Sequence, residues 1–147
     1  MHYDQVKYYI NHNDICPFCA EDAKHKIYED EYMFIIPARA PYVVDHLLII
    51  PKRHVTLLQE LTHEELQSLH ALVDKWSKKL HKKHADVNLL LRDGLVGGVS
   101  EKSVNHLHFH LIPDCPVGAE DRSEPDREFL DDQPYISLVE EIRQTYE

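Results

Sequence analysis

The chain of 147 residues is 43% hydrophobic and 29% charged, a balance typical of one water-soluble domain that buries its own core. Its 16 basic and 26 acidic side chains give a formal net charge of −10, which disfavours contact with a phosphate backbone, so we expect no nucleic-acid partner. No apolar run approaches the roughly 18 residues that span a bilayer, and no secretory signal is evident, so we expect a cytoplasmic protein without membrane partners.

Hydrophobic patterning predicts a short helix and three strands in the first third of the chain. The helix is expected over residues 2–12, and two strand candidates follow at 26–28 and 32–36. A longer β-rich run covers residues 42–50 and ends at Pro51, because proline cannot continue the hydrogen bonding of a strand.

A long amphipathic helix is predicted in the middle of the chain. Thr62 and Glu65 have the spacing of a capping box, in which a hydroxyl is followed three residues later by a carboxylate. Behind this start, apolar side chains recur every three or four residues in one stripe: Leu66, Leu69, Val73, Trp76 and Leu80. The pattern extends the helix to about Ala85.

The remaining elements are two strands and a terminal helix. The strands are predicted over residues 87–92 and 104–112, and the helix over 135–146. The acidic stretch 120–132 is expected to form a solvated loop. Strands interrupted by one long helix and closed by another are typical of an α+β fold with a mostly antiparallel sheet.

Three histidines alternate with hydrophobic residues in the last predicted strand. Because alternate side chains of a strand share a face, His106, His108 and His110 are expected to point one way while the intervening side chains enter the core. Neighbouring histidines on that face lie roughly 6.5–7 Å apart, too far for one metal ion to bind all three. A phosphate group can reach two of them, and neutral imidazole can attack phosphorus near pH 7. The alternative is a solvent-facing strand that happens to be rich in histidine.

Two cysteines, Cys16 and Cys19, lie three residues apart near the N-terminus. Such a pair can supply half of a tetrahedral zinc site, and the abundant histidines can supply the other half. A redox pair and two buried, metal-free thiols are the alternatives. No βαβ pattern surrounds the pair, which disfavours a thioredoxin-like redox site.

Two blocks of sequence resemble the histidine-triad (HIT) family. The run 106–112 matches the family's pattern of three histidines separated by single hydrophobic residues, and Gly97-Gly98 and Ser103 precede it in family order. The stretch 46–54, which reads His-Leu-Leu-Ile-Ile-Pro-Lys-Arg-His, resembles the family's first conserved block.

The resemblance covers roughly residues 16–113 and carries expectations for the whole chain. It implies one HIT-like domain over residues 1–147, with a core at about 16–113 and an acidic loop and C-terminal helix at 114–147. It implies hydrolysis or transfer at the α-phosphate of a small nucleotide substrate, either a dinucleoside polyphosphate or a nucleoside phosphoramidate. Family members commonly form homodimers, so a homodimer is implied here. The alternative function is that of a nucleotide-binding regulatory or scaffold protein with little catalysis.

The resemblance also implies roles for individual side chains. The middle histidine is the family's nucleophile, so His108 is expected to attack the α-phosphorus and to carry the nucleotidyl group. His110 and Ser103 are expected to contact the phosphate, and His46 is expected to line the catalytic pocket.

A zinc ion is implied by the same resemblance. Some HIT proteins with an N-terminal Cys-x-x-Cys bind zinc through that pair, a histidine after the first block and the first triad histidine. The corresponding ligands of a structural Zn²⁺ here are Cys16, Cys19, His54 and His106. This assignment leaves the other two triad histidines free for the phosphate.

Three features depart from the family pattern. Arg92 and Lys102 stand where many members have asparagine and glutamine. Lys102 is predicted to lie near the phosphates, the alternative being a solvated lysine at a loop tip. Arg92 can bind phosphate or form an ion pair with Asp93 or Glu101, and the ion pair is the favoured prediction. The stretch 36–41 lacks the aspartate with which many relatives hold the ribose hydroxyls, so the nucleoside preference stays open.

Overall fold

The computed structural model describes residues 1–117 and 127–147, so residues 120–126 of the predicted acidic loop lie outside the described residues. Five strands form one antiparallel sheet in the order β1-β2-β3-β5-β4. The strands are β1 (Tyr28–Glu29), β2 (Met33–Pro37), β3 (Leu47–Pro51), β4 (Val87–Leu91) and β5 (Phe109–Pro113). The helices are α1 (Tyr3–His12), α2 (His63–Leu80) and α3 (Asp132–Thr145). This architecture confirms the α+β prediction, with a mostly antiparallel sheet, one long helix and a C-terminal helix.

The start of helix α2 follows the predicted capping box. The Thr62 hydroxyl accepts a hydrogen bond from the Glu65 amide at 3.2 Å, and the Glu65 carboxylate accepts one from the Thr62 amide at 2.8 Å. The helix ends at Leu80, earlier than the predicted Ala85. In the turn that follows, the His84 side chain is hydrogen-bonded to carboxylates from two distant loops, a tertiary interaction that helical periodicity does not encode.

The main core lies between one face of the sheet and the helices α2 and α3. Helix α2 contributes four buried residues to this core: Leu69, Leu72, Trp76 and Leu80. Ile142 of α3 and the following Tyr146 join the same cluster. Shared burial of both helices on one sheet supports the proposal that residues 1–147 form a single domain.

The opposite face of the sheet carries a smaller apolar cluster beside the histidines. The strand register pairs His110 of β5 with Leu48 of β3, and Leu48 with Ile36 of β2. Paired residues of adjacent strands project to the same face, so His110 stands next to apolar side chains. Phe18 packs against this cluster, whose buried members are Phe34, Ile36, Ala38, Leu48 and Ile50.

Two strands are shorter than the sequence predicts. The run 42–50 forms a strand only from Leu47, because Asp45 has a left-handed φ of 72° that interrupts the extended backbone. The segment 104–112 forms a strand only from Phe109. Two of the three triad histidines therefore precede the strand instead of lying on it.

The predicted alternation of core positions nevertheless holds through the triad. The Leu107 amide donates to the Val55 carbonyl at 2.8 Å, so the segment before β5 is held by a loop. Leu107, Phe109 and Leu111 are 0%, 5% and 1% exposed. All three belong to the main core cluster, so the intervening histidines face away from that core even where regular strand pairing is absent.

Among the described helices, none is both long and apolar enough to cross a lipid bilayer.

Candidate functional site

The three triad histidines are buried side chains that divide into two groups. His106, His108 and His110 are 0%, 5% and 8% exposed, so the alternative of a histidine-rich solvent face is wrong. The rings of His108 and His110 lie 4.9 Å apart between centroids. The His106 ring instead approaches His54, at 4.9 Å between centroids, and the cysteine pair. The single shared face that we expected is thus split between two sites.

The tautomer of His108 is fixed by its own backbone. Its Nδ1–H donates to the carbonyl of His106 at 2.8 Å, because a carbonyl oxygen can only accept. Burial lowers the pKa of His108 to about 4, so the ring is neutral at pH 7. A neutral ring with a proton on Nδ1 carries its lone pair on Nε2, which is the nitrogen able to act as a nucleophile.

A chain of hydrogen bonds sets the tautomer of His110 through His46. The Tyr42 amide donates to Nδ1 of His46 at 3.2 Å, which places the His46 proton on Nε2. That Nε2–H lies 3.0 Å from Nδ1 of His110 and donates to it. Burial lowers the pKa of His46 to about 3 and that of His110 well below its ordinary value.

This chain leaves His110 with an N–H donor that is ready for a ligand. Its Nδ1 accepts from His46, so its proton resides on Nε2. The Nε2 atom is buried and has no hydrogen-bond partner among residues 1–117 and 127–147. A buried donor without a partner is costly, and an acceptor such as a phosphate oxygen would relieve that cost.

Two cavities meet at His110. The first, which we call the apolar cavity, has a volume of about 250 Å³ and also contains the side chains of His46 and His108. Its apolar lining includes Val6, Phe18, Ile36, Ala38, Leu48 and Phe129. The second, which we call the polar cavity, has a volume of about 510 Å³ and lies toward the loop that carries Ser103. A ligand that fills both would place its central atoms beside the triad.

Ser103 and Lys102 line the polar cavity together with His110, as their predicted role requires. The Ser103 hydroxyl lies 2.9 Å from the Tyr3 hydroxyl of α1. Lys102 is 2% exposed and its ammonium group donates to the Thr56 carbonyl. Burial lowers the pKa of Lys102, and the side chain is buried instead of solvated at a loop tip.

Arg92 forms the predicted ion pair at the edge of this cavity. Its guanidinium lies 3.7 Å from the carboxylate of Glu101 and donates to the Ser100 carbonyl at 2.9 Å. Glu101 adopts a left-handed φ of 61°, which turns the chain immediately before Lys102. The loop thus places the Lys102 side chain in the interior, and Arg92 holds the loop through its contacts with Ser100 and Glu101.

The four residues predicted to bind zinc lie together. One donor atom from each of Cys16, Cys19, His54 and His106 falls within a group whose members are all within 4.8 Å of one another. His106 Nδ1 is 3.3 Å from Cys16 Sγ and 3.1 Å from His54 Nδ1, and Cys19 Sγ is 3.0 Å from His54 Nδ1. Tetrahedral Zn–N and Zn–S bonds would separate such atoms by roughly 3.3–3.8 Å, so the cluster fits zinc with small adjustments.

The surroundings of the cluster also fit a metal ion. The Nε2–H of His106 donates to the Pro51 carbonyl at 2.8 Å, which leaves the Nδ1 lone pair directed at the cluster. Burial and the neighbouring sulfur of Cys16 raise the pKa of the Cys19 thiol to about 11. Two sulfurs at this spacing do not ionise together without a cation, and zinc would supply one.

The family assignment follows from a comparison with known proteins. The family model described as the HIT domain matches residues 20–116, about two thirds of the chain. The chain belongs to the HIT family. The match begins just after Cys19, so the cysteine pair lies outside the matched region.

Relatives within the HIT family include an uncharacterised protein and a named enzyme. A HIT-like protein of Methanocaldococcus jannaschii is 33% identical over 104 residues, covering 67% of this chain and 78% of its own length. The adenosine 5'-monophosphoramidase HNT1 of Saccharomyces cerevisiae is 30% identical over 102 residues, covering 67% of this chain and 61% of its own length.

Solved structures of HIT proteins share the fold. A Zn-bound histidine triad family protein from Mycobacterium smegmatis has a TM-score of 0.63 at 23% identity and covers 88% of this chain and 93% of its own. Plasmodium falciparum diadenosine triphosphate hydrolase has a TM-score of 0.64 at 16% identity and covers 84% of this chain and 77% of its own. Some family members are thus nucleotide hydrolases, and at these identities the structures establish the fold alone.

The HIT motif does not include several residues that line the two cavities. Phe18, between the two cysteines, stands edge-on to His108 at 5.1 Å between ring centroids. His25 is 8% exposed and its Nδ1–H donates to the Glu21 carboxylate at 2.6 Å, at the end of the apolar cavity that holds Ala38. Arg127 borders both cavities. Only the position of Phe18 inside the Cys-x-x-Cys motif offered a sequence signal for any of these.

Proposed function

We propose that this HIT protein is a nucleotide hydrolase or transferase that acts on the α-phosphate of dinucleoside polyphosphates or nucleoside phosphoramidates. The observation that carries the proposal is the fixed tautomer of His108, whose Nδ1–H is committed to the His106 carbonyl. This arrangement leaves a neutral Nε2 as nucleophile in a buried site and requires no separate base.

The reaction proceeds in two displacements. Nε2 of His108 forms a bond to the α-phosphorus while the bond from phosphorus to the leaving oxygen or nitrogen breaks, and the leaving group departs with the electron pair. A leaving phosphate oxygen departs as an anion, whereas a leaving nitrogen takes up a proton from solvent and departs as a neutral amine. The ring then carries the nucleotidyl group on Nε2 and a positive charge that the His106 carbonyl stabilises through Nδ1–H. Water next attacks phosphorus, the P–N bond breaks, and a nucleoside monophosphate, free His108 and one proton are released.

Three neighbouring donors are suited to the phosphate oxygens. The unpartnered Nε2–H of His110 borders the same cavities as His108. The Ser103 hydroxyl and the Lys102 ammonium line the polar cavity beside it. Donors held in place in a buried site stabilise charge that builds on the phosphoryl oxygens, because little reorganisation is needed during the reaction.

We propose a structural role for zinc. Cys16, Cys19, His54 and His106 would hold the ion, which when bound would cross-link the N-terminal segment to the triad segment. His106 is then committed to the metal, and its carbonyl remains the acceptor for His108. Four protein ligands leave the ion no open position for substrate, so no reaction step is assigned to it.

A homodimer in the cytoplasm is part of the proposal. Strand β4 forms an edge of the sheet, and its Leu89 side chain is 55% exposed. An apolar edge strand invites pairing with a second copy across a two-fold axis. Free thiols at the cysteine pair suit a reducing compartment. Sedimentation equilibrium of the protein and of Leu89→Lys tests the homodimer, and a monomeric parent protein would contradict it.

A nucleotide-binding scaffold with little catalysis is the second candidate. Its support is that Ser103 and Lys102 already have protein partners, the Tyr3 hydroxyl and the Thr56 carbonyl. A substrate must displace or share these contacts, which costs binding free energy. Both candidates bind nucleotides, so the rate of turnover is what distinguishes them.

A panel of substrates tests the proposed function. Nucleoside phosphoramidates, dinucleoside polyphosphates and nucleotidyl sugars are offered to the protein and to His108→Ala, with folding checked by circular dichroism. The proposal expects multiple turnovers for at least one of the first two classes and none for the variant. Tight nucleotide binding without turnover or a nucleotidyl-protein adduct would favour the scaffold.

A further inference from the structure

The polar cavity concentrates positive charge beside the triad. The polar cavity is lined by four cationic side chains: Lys7, Arg92, Lys102 and Arg127. Among the described residues, its carboxylate lining is Glu101, which pairs with Arg92 at 3.7 Å. Asp4 pairs with Lys7 at 2.8 Å from outside the lining. On a chain with a formal charge of −10, a pocket this rich in cations points to an anionic ligand.

Arg127 borders both cavities, as does Lys7, and its guanidinium is held by three contacts. Its guanidinium lies over the Tyr3 ring at 4.5 Å and over the Tyr42 ring at 4.0 Å from each centroid. One of its N–H groups donates to the Ala40 carbonyl at 3.1 Å. A guanidinium has five N–H donors in a rigid plane, so these contacts fix the group while leaving further donors for a phosphate.

The two cavities differ in the chemistry they accept. The apolar cavity has mostly aromatic and aliphatic walls, which suit a nucleoside. Beyond Lys7 and Arg127, which the two cavities share, its charged lining among the described residues is one cation, Arg39, and two carboxylates, Glu21 and Asp22, so it favours phosphate less than the polar cavity does. The polar cavity has the volume and the charge for a phosphate chain. His110 stands at their junction, next to the ring of the proposed nucleophile His108. A substrate that spans both therefore has a nucleoside on one side of the scissile bond and phosphates on the other.

We propose that the polar cavity binds the phosphate chain of the leaving group through Arg127, so that the protein prefers substrates whose leaving group is a phosphorylated nucleotide over those that release a neutral amine. This inference rests on the proposed function. As the bond from the α-phosphorus to the bridging oxygen breaks, that oxygen keeps the electron pair and the departing phosphate gains one negative charge. Cations already in place along the polar cavity stabilise that charge, whereas a departing amine gives them nothing to stabilise.

Selectivity between two substrates is the most direct test. We compare kcat/KM for a dinucleoside triphosphate and for a phosphoramidate of the same nucleoside in the full-length protein and in Arg127→Met. Methionine keeps an apolar side chain against the two tyrosines but removes the charge. The ratio of the two kcat/KM values is expected to fall about 10- to 100-fold, the effect of losing a hydrogen bond to a charged group. Lys82→Gln, which removes an exposed charge outside both cavities, is expected to keep the parent ratio.

A second variant covers the case in which Arg127→Met does not fold. Lys7→Gln alters a half-buried side chain of α1 and is expected to lower the same ratio by a smaller factor, because Asp4 already offsets part of the Lys7 charge. An unchanged ratio in the folded variants, or a ratio that shifts equally in Lys82→Gln, would overturn the proposal.

Binding of inorganic tripolyphosphate separates this inference from the proposed function. It has no nucleoside, so calorimetry with it reports the polar cavity even if no substrate is turned over. We expect binding by the parent protein that weakens at least tenfold in Arg127→Met and falls with salt. Undetectable binding by the parent protein, or binding that Arg127→Met leaves unchanged, would show that the polar cavity is not a phosphate site.

Discussion

His46 donates its Nε2–H to Nδ1 of His110 across 3.0 Å, although the two residues are 64 positions apart. This bond joins the family's first conserved block, residues 46–54, to the triad. It determines which nitrogen of His110 carries the proton, and so whether a donor or an acceptor faces the cavity. The geometry of the phosphate site thus depends on a residue that does not itself need to touch substrate.

Replacement of His46 tests this positioning role. In His46→Phe the ring keeps its packing but loses the donor, so His110 is no longer held with its proton on Nε2. We expect kcat to fall about 10- to 100-fold, as for other partners that orient an active-site imidazole. His46→Gln, which can still donate, is expected to recover part of the loss. Rates for His46→Phe within twofold of the parent protein would contradict the role.

The zinc cluster predicts that two cysteine variants differ in zinc content and in thermal stability. Cys19→Ser removes a ligand, and Cys115→Ser alters a thiol outside the four-residue cluster. We expect the first to lose most of its bound zinc and to melt at a lower temperature, because metal binding contributes directly to folding. The second is expected to keep parent values. Metal content by plasma mass spectrometry and thermal melts check this, and equal zinc content in both variants would refute the assignment.

The His84 side chain predicts a pH dependence of stability. Partial burial acts to lower its pKa, but hydrogen bonds to the carboxylates of Asp45 and Asp114 outweigh this and raise the pKa. Because the pKa of His84 is higher in the folded state than in the unfolded state, the charged side chain stabilises the fold fully below the unfolded-state pKa of about 6.5. This stabilisation is lost as pH rises through the folded-state pKa.

His84→Gln isolates that contribution. Urea unfolding at pH 6.0 and at pH 8.5 is compared for the parent protein and the variant. We expect the variant to be less stable by on the order of 1 kcal/mol at pH 6.0, with a smaller deficit at pH 8.5. A deficit that grows toward pH 8.5 would show that the sign is wrong.

Burial of the residues between the triad histidines gives a further prediction. Leu107 is 0% exposed and Leu95 is 75% exposed. We expect Leu107→Ala to lower the free energy of unfolding by about 2–5 kcal/mol through the cavity it creates, and Leu95→Ala to change it little. Denaturant unfolding measures both. A cost below about 1 kcal/mol for Leu107→Ala would mean that the triad segment is less firmly packed than described.

Local patterns predicted the parts of the fold that depend on local physics. The capping box at Thr62 starts helix α2, and alternation around the triad identified the buried Leu107 and Phe109. The strand boundary at Phe109 was not predictable, because the preceding residues are held by the Val55 loop and extended residues look alike in sequence. Alternation of polar and apolar residues indicates which way side chains face, but not which segment of the chain the backbone is hydrogen-bonded to.

The candidate site was predictable only as far as the family motif extends. The resemblance supplied His108, His110 and Ser103, but not that the Ser103 hydroxyl meets Tyr3 of α1. Arg127 and Tyr3 are 124 positions apart, and neither belongs to a motif. Contacts between chain ends depend on tertiary packing, which residue spacing does not report.

The covalent intermediate is the central claim, and rapid-quench mass spectrometry under acid-free conditions tests it most directly. Protein mixed with a dinucleoside triphosphate or a nucleoside phosphoramidate is quenched within the first turnover, digested and searched for a peptide heavier by one nucleotidyl group. We predict the adduct on His108 in the parent protein, formed and lost at rates consistent with turnover, and its absence from His108→Ala. Turnover without an adduct, or an adduct at another residue, would contradict the assignment of His108 as the nucleophile.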